Sequence, residues 1–211
     1  MLIKVCRIMQ YLRTQEHLRG DQFMVSMRGN LVTLEPLDIQ KHAEGYYRVS
    51  QDENIHKYVG NSVPGSVDEI VALLKEYEKH FLNWMILSNE TCNVIGIIRL
   101  SKPEMINGIL SAGESQRLCS RYWRKGHMKE AKKLFYRYVF DELSVDILYA
   151  DVWEGNVNSI KSLESYGYRL LETTTEFFVK SGKYTEKYIY ALTKEAYRQT
   201  NSCGAHDQTN I

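Results

Sequence analysis

"RYWRKGHMKEA", Arg121 to Ala131, gathers Arg124, Lys125 and Lys129 around Gly126 and runs straight into an amphipathic helix. The first N–H groups of a helix have no acceptor of their own, and the helix dipole adds about half a positive charge there. Gly126 lets the backbone approach closely or take a positive φ, while the three cations stand at the rim. The stretch therefore reads as an anion cradle with pyrophosphate as its natural guest. The plainer alternative is a helix start with solvated basic residues. Neither G-x-x-x-x-G-K-S/T nor G-x-G-x-x-G is present, so this is neither a P-loop nor a dinucleotide fingerprint.

Downstream, Met128, Ala131, Leu134, Phe135, Tyr138 and Val139 make one apolar helix face. "VDILYADVW" reads as a strand and "NVNSIKSLESYGY" as a short helix ending at Gly167, before two long strands that flank a turn at Ser181 and Gly182. Upstream, "ILSAGESQRLCS" is a weaker strand preceded by a loop, "SKPEMING". "NWMILSNETCNVIGIIRL" is a hairpin turning at Asn89 and Glu90, apolar enough for burial on both faces. Asp38 caps a helix over 39–49, and the capping box "SVDE", Ser66 with Glu69, opens a second in which Ile70, Leu73, Leu74, Tyr77 and Phe81 recur at helical spacing. Strand periodicity begins at "LVTLEPLD". The order is strand, two helices, three strands, helix, strand, helix, two strands, which predicts an α/β (α+β) fold with a central mixed sheet.

The expected division is an N-terminal extension over 1–27, a domain over 28–196 and a mobile polar tail over 197–211. Lysine plus arginine number 27 against 26 acidic residues, so the net charge of +1 gives no field to recruit nucleic acid or membrane. Cys6, Cys92, Cys119 and Cys203 form no C-x-x-C pair, which argues against a zinc or redox site and for reduced thiols in the cytoplasm. The early apolar run is broken by Arg7, Gln10 and Arg13, too soon for a signal-peptide core or a spanning helix.

"YWRKGHMKEA" followed by "LYADVWEGNVNSIKSLESYGYRLLE" resembles the two signature segments of the GNAT superfamily of N-acetyltransferases, nearest to the branch of ribosomal-protein N-terminal and spermidine acetyltransferases. The resemblance spans about residues 29–196. It implies a mostly antiparallel sheet splayed at its middle, helices on both faces, acetyl-coenzyme A as cosubstrate and no metal. By position, Trp123 takes the first site of the pyrophosphate loop, Gly126 its glycine and Met128 the last, ordinarily small, site; Arg124, Lys125, His127 and Lys129 complete the loop. Asn156 and Ser159 match the segment that faces the pantetheine arm and the sulfur. Leu118 and Cys119 match the strand end whose free N–H groups pair with pantetheine and supply oxyanion donors.

For the base, the resemblance favours Glu176, with Glu114 also on a strand near the expected cleft. His127 is expected to lend its backbone to the loop with its ring outward, and Cys119 to be a buried thiol rather than a nucleophile. Asp52 and Glu53 lie where an acceptor amine enters, or are plain surface acids. The tyrosine that protonates the leaving thiolate in many GNAT enzymes is replaced by Leu163, which passes that task to Ser159 and leaves Tyr166 to packing. The acceptor is a primary amine, a protein N-terminus or a small molecule, and a homodimer is compatible with this. The competing reading is a non-catalytic module that senses acyl-coenzyme A or binds a protein.

Overall fold

Alternating apolarity makes "VTLEP" the strand β2 (Val32–Pro36), with Val32 and Leu34 fully buried. The computed structural model describes residues 24–60 and 62–203. Asp38 Oδ1 accepts the N–H of Lys41 and starts α1 (Ile39–Ser50). Ser66 Oγ accepts the N–H of Glu69 and starts α2 (Val67–His80), while the Glu69 carboxylate reaches back to the N–H of Gly65.

β3 (Phe81–Ser88) and β4 (Val94–Ser101) form the expected hairpin. Its continuous apolarity has a simple cause: Met85 and Ile97 face α1 and α2, whereas Trp84, Ile86, Ile98 and Leu100 face the long helix on the other side. The segment expected as a loop is a second hairpin. β5 (Glu104–Ile106) turns through Asn107 and Gly108, at φ 51° and 80°, into β6 (Ile109–Leu118).

With β1 (Met27–Arg28), β7 (Ile147–Trp153), β8 (Arg169–Phe178) and β9 (Lys183–Thr193), the main sheet runs β1-β2-β3-β4-β6-β7-β9-β8. Its pairs are antiparallel except β6 with β7. β6 changes partners along its length: Ser111 to Gly113 pair with β7, and Glu114 to Leu118 pair with β4. Past Gly113 and Tyr149 the parallel strands part, as the splayed fold requires. α3 (His127–Arg137), continued by a π-helical turn over Tyr138–Glu142, packs Phe135 edge-on against Trp84 at 5.8 Å. α4 (Val157–Ser165) and α5 (Lys194–Cys203) complete the α-helices among the described residues.

Two boundaries fall elsewhere than the pattern placed them. Met27 is buried in the core and the Trp84 indole donates to the Val25 carbonyl at 3.1 Å, so packing begins ahead of residue 28. Residues 1–23 of the expected extension lie outside the described residues. Helix α5 runs to Cys203, through the first part of the expected tail, and 204–211 lie outside the described residues.

Candidate active site

Gly126 is the N-cap of α3 at φ 84°, a left-handed conformation that suits glycine. A Cβ added there would come within 3.3 Å of Leu31. The first helical hydrogen bond is Glu130 N–H to Gly126 C=O, at 2.9 Å, so the N–H groups of His127, Met128 and Lys129 precede the ladder. Arg124, Lys125 and Lys129 are exposed around them. The Trp123 indole donates to the Leu118 carbonyl at 2.7 Å and ties the loop to the end of β6. Met128 packs against the core, so its bulk is directed away from the cradle. The His127 ring is not turned outward: it is half-buried, edge-on to Tyr122 at 5.1 Å, with Nδ1 unpartnered. Glu130, one turn on, accepts the N–H groups of Asn30, Leu31 and Val32 at 2.9, 2.6 and 2.9 Å.

The gap between β6 and β7 leads away from this loop. The Cys119 N–H donates to Ile95 on β4 at 2.9 Å, so it is spent within the sheet and is not one of the expected free donors. By strand alternation Leu118 and Gln116 turn their N–H groups the other way, into the gap. Burial, aided by Asp52, pushes the Cys119 thiol up, which disfavours a thiolate nucleophile. Across the gap Asn156 accepts the Ser159 N–H at 3.4 Å and caps α4, leaving the half-buried Ser159 side chain on its first turn. Leu163 is in the core. Tyr166 packs toward α3, its hydroxyl 3.4 Å from the Lys129 carbonyl, and burial together with Glu114 pushes its pKa up to about 12.

On the far side of the sheet the gap opens into a cleft of about 420 Å³ whose walls include Phe81, Arg99, Ser115, Asp151 and Lys187. Glu176 is outside these walls. Lys187 stands between it and the cleft, 3.4 Å from Glu176 and 3.1 Å from Asp151. Asp151 is thus the acid at the cleft wall, a residue the sequence reading missed; period-2 alternation in "YADVW" puts it on one face with Tyr149 and Trp153. The Glu114 side chain leaves by the opposite face, where its Oε1 meets Lys132 Nζ at 3.3 Å and the Tyr136 hydroxyl at 2.9 Å. Asp52 is also engaged: it accepts the N–H of Ser120 at 2.5 Å and of Asn54 at 3.1 Å. Burial alone would raise its pKa, but these donors prevail and hold it at about 2.

The family model of the acetyltransferase (GNAT) domain matches residues 32–169. No curated protein matches the sequence significantly. Three solved structures illustrate the likeness. A GCN5-related N-acetyltransferase from Brucella melitensis aligns at TM-score 0.72 and 21% identity over 84% of each chain. The ribosomal-protein-S5-alanine acetyltransferase from Vibrio fischeri gives 0.67 and 13% over 82% of this chain and 99% of that one. FdhC, a nucleotide-linked sugar GNAT, gives 0.67 and 16% over 86% and 97%. At these identities the likeness is one of fold.

Proposed function

Because the chain belongs to the GNAT acetyltransferase domain family, we propose that it transfers an acetyl group from acetyl-coenzyme A to a primary amine by direct attack in a ternary complex. The observation that supports this reading is the parting of β6 from β7, with the Gly126 loop following the end of β6 and a cleft lined by both strands where they part. The N–H groups of His127, Met128 and Lys129, with the Arg124 and Lys125 side chains, would hold the pyrophosphate. Leu118 and Gln116 would lend N–H groups to pantetheine and to the thioester oxygen, a type of contact worth about 3 kcal/mol in other acyl-transfer enzymes.

In the transfer the amine nitrogen bonds to the acetyl carbon, the carbon–sulfur bond breaks, the amine sheds a proton and the thiolate gains one. Asp151 meets the cleft directly and takes the amine proton, itself or through water; Glu176 reaches the cleft only by way of Lys187. Ser159 hydrogen-bonds the departing thiolate or relays a proton from water. An α-amine, with a pKa of about 8, costs roughly 3 kcal/mol less to deprotonate than an alkylamine at about 10.4.

Thiol release from acetyl-coenzyme A across a panel of amines tests this reading. Amine-dependent release is expected, with Ser159→Ala lowering kcat more than it raises the KM for acetyl-coenzyme A and Tyr166→Phe changing kcat less than about threefold. Gly126→Val should weaken coenzyme A at least about tenfold by calorimetry while the fold persists. Tight coenzyme A binding with no amine-dependent release would instead support the non-catalytic sensing module.

A further inference from the structure

The sheet face under α1 and α2 carries two guanidiniums that no carboxylate among the described residues neutralises. Arg99 on β4 stands opposite Ser115 on β6, and Arg117 stands opposite Ile97, so both arginines leave the sheet on one face, a diagonal apart. Arg99 Nε donates to Ser115 Oγ at 3.0 Å, and its guanidinium lies 4.0 Å from the Tyr77 ring centre and 4.8 Å from that of Phe81. Arg117 lies beside the hydroxyls of Tyr46 and Tyr77. The salt bridges among the described residues include neither arginine. Beside them the Tyr46 and Tyr77 hydroxyls are buried without a well-formed hydrogen bond, on residues only 1% and 7% exposed.

Two adjacent guanidiniums repel each other, and two buried hydroxyls that meet them only in poor geometry compensate them incompletely. Both penalties are relieved by one kind of guest. Guanidiniums only donate and phenols can donate, so the four groups together match an oxyanion. Of the four, Arg99 lines the cleft, and Arg117 stands a diagonal behind it, so an anion entering there meets Arg99 first. The cleft wall also holds Asp151, 57% exposed and already 3.1 Å from Lys187, with carboxylate surface left for a second cation. A cleft of about 420 Å³ is at the small end of ligand pockets.

Resting on the acetyl-transfer reading, we propose that the acceptor is a small amine that also carries an oxyanion, a carboxylate or a phosphate. The oxyanion seats at Arg99 and Arg117, and the amine turns to Asp151 and the β6–β7 gap. Arg99 and Arg117 thereby select the acceptor, and the Tyr77 hydroxyl assists them.

The test uses the full chain saturated with coenzyme A, so that the cradle at Gly126 is occupied. Calorimetry compares β-alanine with propylamine, and O-phosphoethanolamine with ethanolamine, on the wild type and on Arg99→Gln, Arg117→Gln and Tyr77→Phe. At least one oxyanion-bearing amine should bind about tenfold or more tightly than its partner lacking the oxyanion, and that preference should vanish in the arginine variants. The pair that shows it identifies the anion as carboxylate or phosphate. Tyr77→Phe, which leaves both arginines in place, should weaken the oxyanion-bearing amine while the chain still unfolds cooperatively, which keeps the test sound if an arginine variant fails to fold. Equal binding of the partners with and without the oxyanion to the wild type, or tighter binding of an acidic tripeptide than of any of these, overturns the proposal. Acetylation of amines that lack an oxyanion, with no arginine dependence, removes the anion site and leaves the enzyme. Arginine-dependent binding with no acetylation of any amine does the converse.

Discussion

The two faces of the sheet around β6 carry polar clusters made of similar parts and finished differently. On the α3 face, Glu114 meets Lys132 and Tyr136, with Tyr168 beside them, all four buried. On the α1–α2 face, Arg99 and Arg117 meet Tyr46 and Tyr77 with no carboxylate. Unpartnered atoms occur on both faces, Glu114 Oε2 and Tyr168 Oη on one and the Tyr46 and Tyr77 hydroxyls on the other. The difference is therefore one of charge. The first cluster balances an anion with a cation inside the protein, and burial followed by the Glu114 charge pushes the Tyr136 and Tyr168 hydroxyls far up, so they stay neutral donors. The second leaves its cations for something outside the chain. A closed charge balance belongs to scaffold, and an open one to recognition.

The sharpest way to break this contrast is Lys132→Met. It strands the Glu114 carboxylate, and a loss of about 3–5 kcal/mol is expected in urea unfolding. Adding Glu114→Gln should return most of that loss, because no buried charge is then left unpaired. A single-variant loss below about 1 kcal/mol would mean that the α3 face is not closed. Next in size, Tyr136→Phe removes the donor to Glu114 and should cost about 1–2 kcal/mol. Arg99→Gln, on the open face, should shift stability by less than about 1 kcal/mol, since no carboxylate loses its partner.

A smaller effect comes from the loop that joins α1 to α2. The pKa of Asp52 is depressed in the folded state, so the stability it contributes is complete above its unfolded value of about 3.9. That contribution is lost as pH falls through about 2. Asp52→Asn should flatten the acid limb of a stability profile taken between roughly pH 5 and 2. Least of all, Tyr77→Phe should shift the unfolding free energy by less than about 1 kcal/mol, because its hydroxyl makes no well-formed hydrogen bond and meets only the two guanidiniums.

What could be read from the sequence was what neighbouring residues settle among themselves. The Gly126 helix start, the caps at Asp38 and Ser66 and the apolar face of α3 each depend on a few consecutive residues, and each was legible. The hairpin at Asn107-Gly108 carried a readable turn signal, but Met105, Ile106 and Ile109 are 41–55% exposed, so no buried stripe marked it as sheet. Helix α5 was hidden similarly, with Ala196 and Tyr197 its residues packed on the core. The site was less legible because it depends on pairing between distant strands. Whether Leu118 or Cys119 turns its N–H to the gap is decided by the bond to Ile95, and Arg99 meets Arg117 only through the β4–β6 register. Asp151 could have been found by alternation once its strand was known to border the gap; Glu176, on β8, lies two strands beyond β7.

Glu130 has a consequence in time. The three N–H groups that its carboxylate gathers precede it in the chain by 100, 99 and 98 residues. On a ribosome adding about 5–20 residues per second, the turn at Asn30 waits roughly 5–20 s before its acceptor exists. Until then water must serve those donors, and Leu31 has no Gly126 to lie against. The wall of the cradle is thus assembled from an old part of the nascent chain and a new one, so a ligand for it can engage only after more than half of the protein has been made.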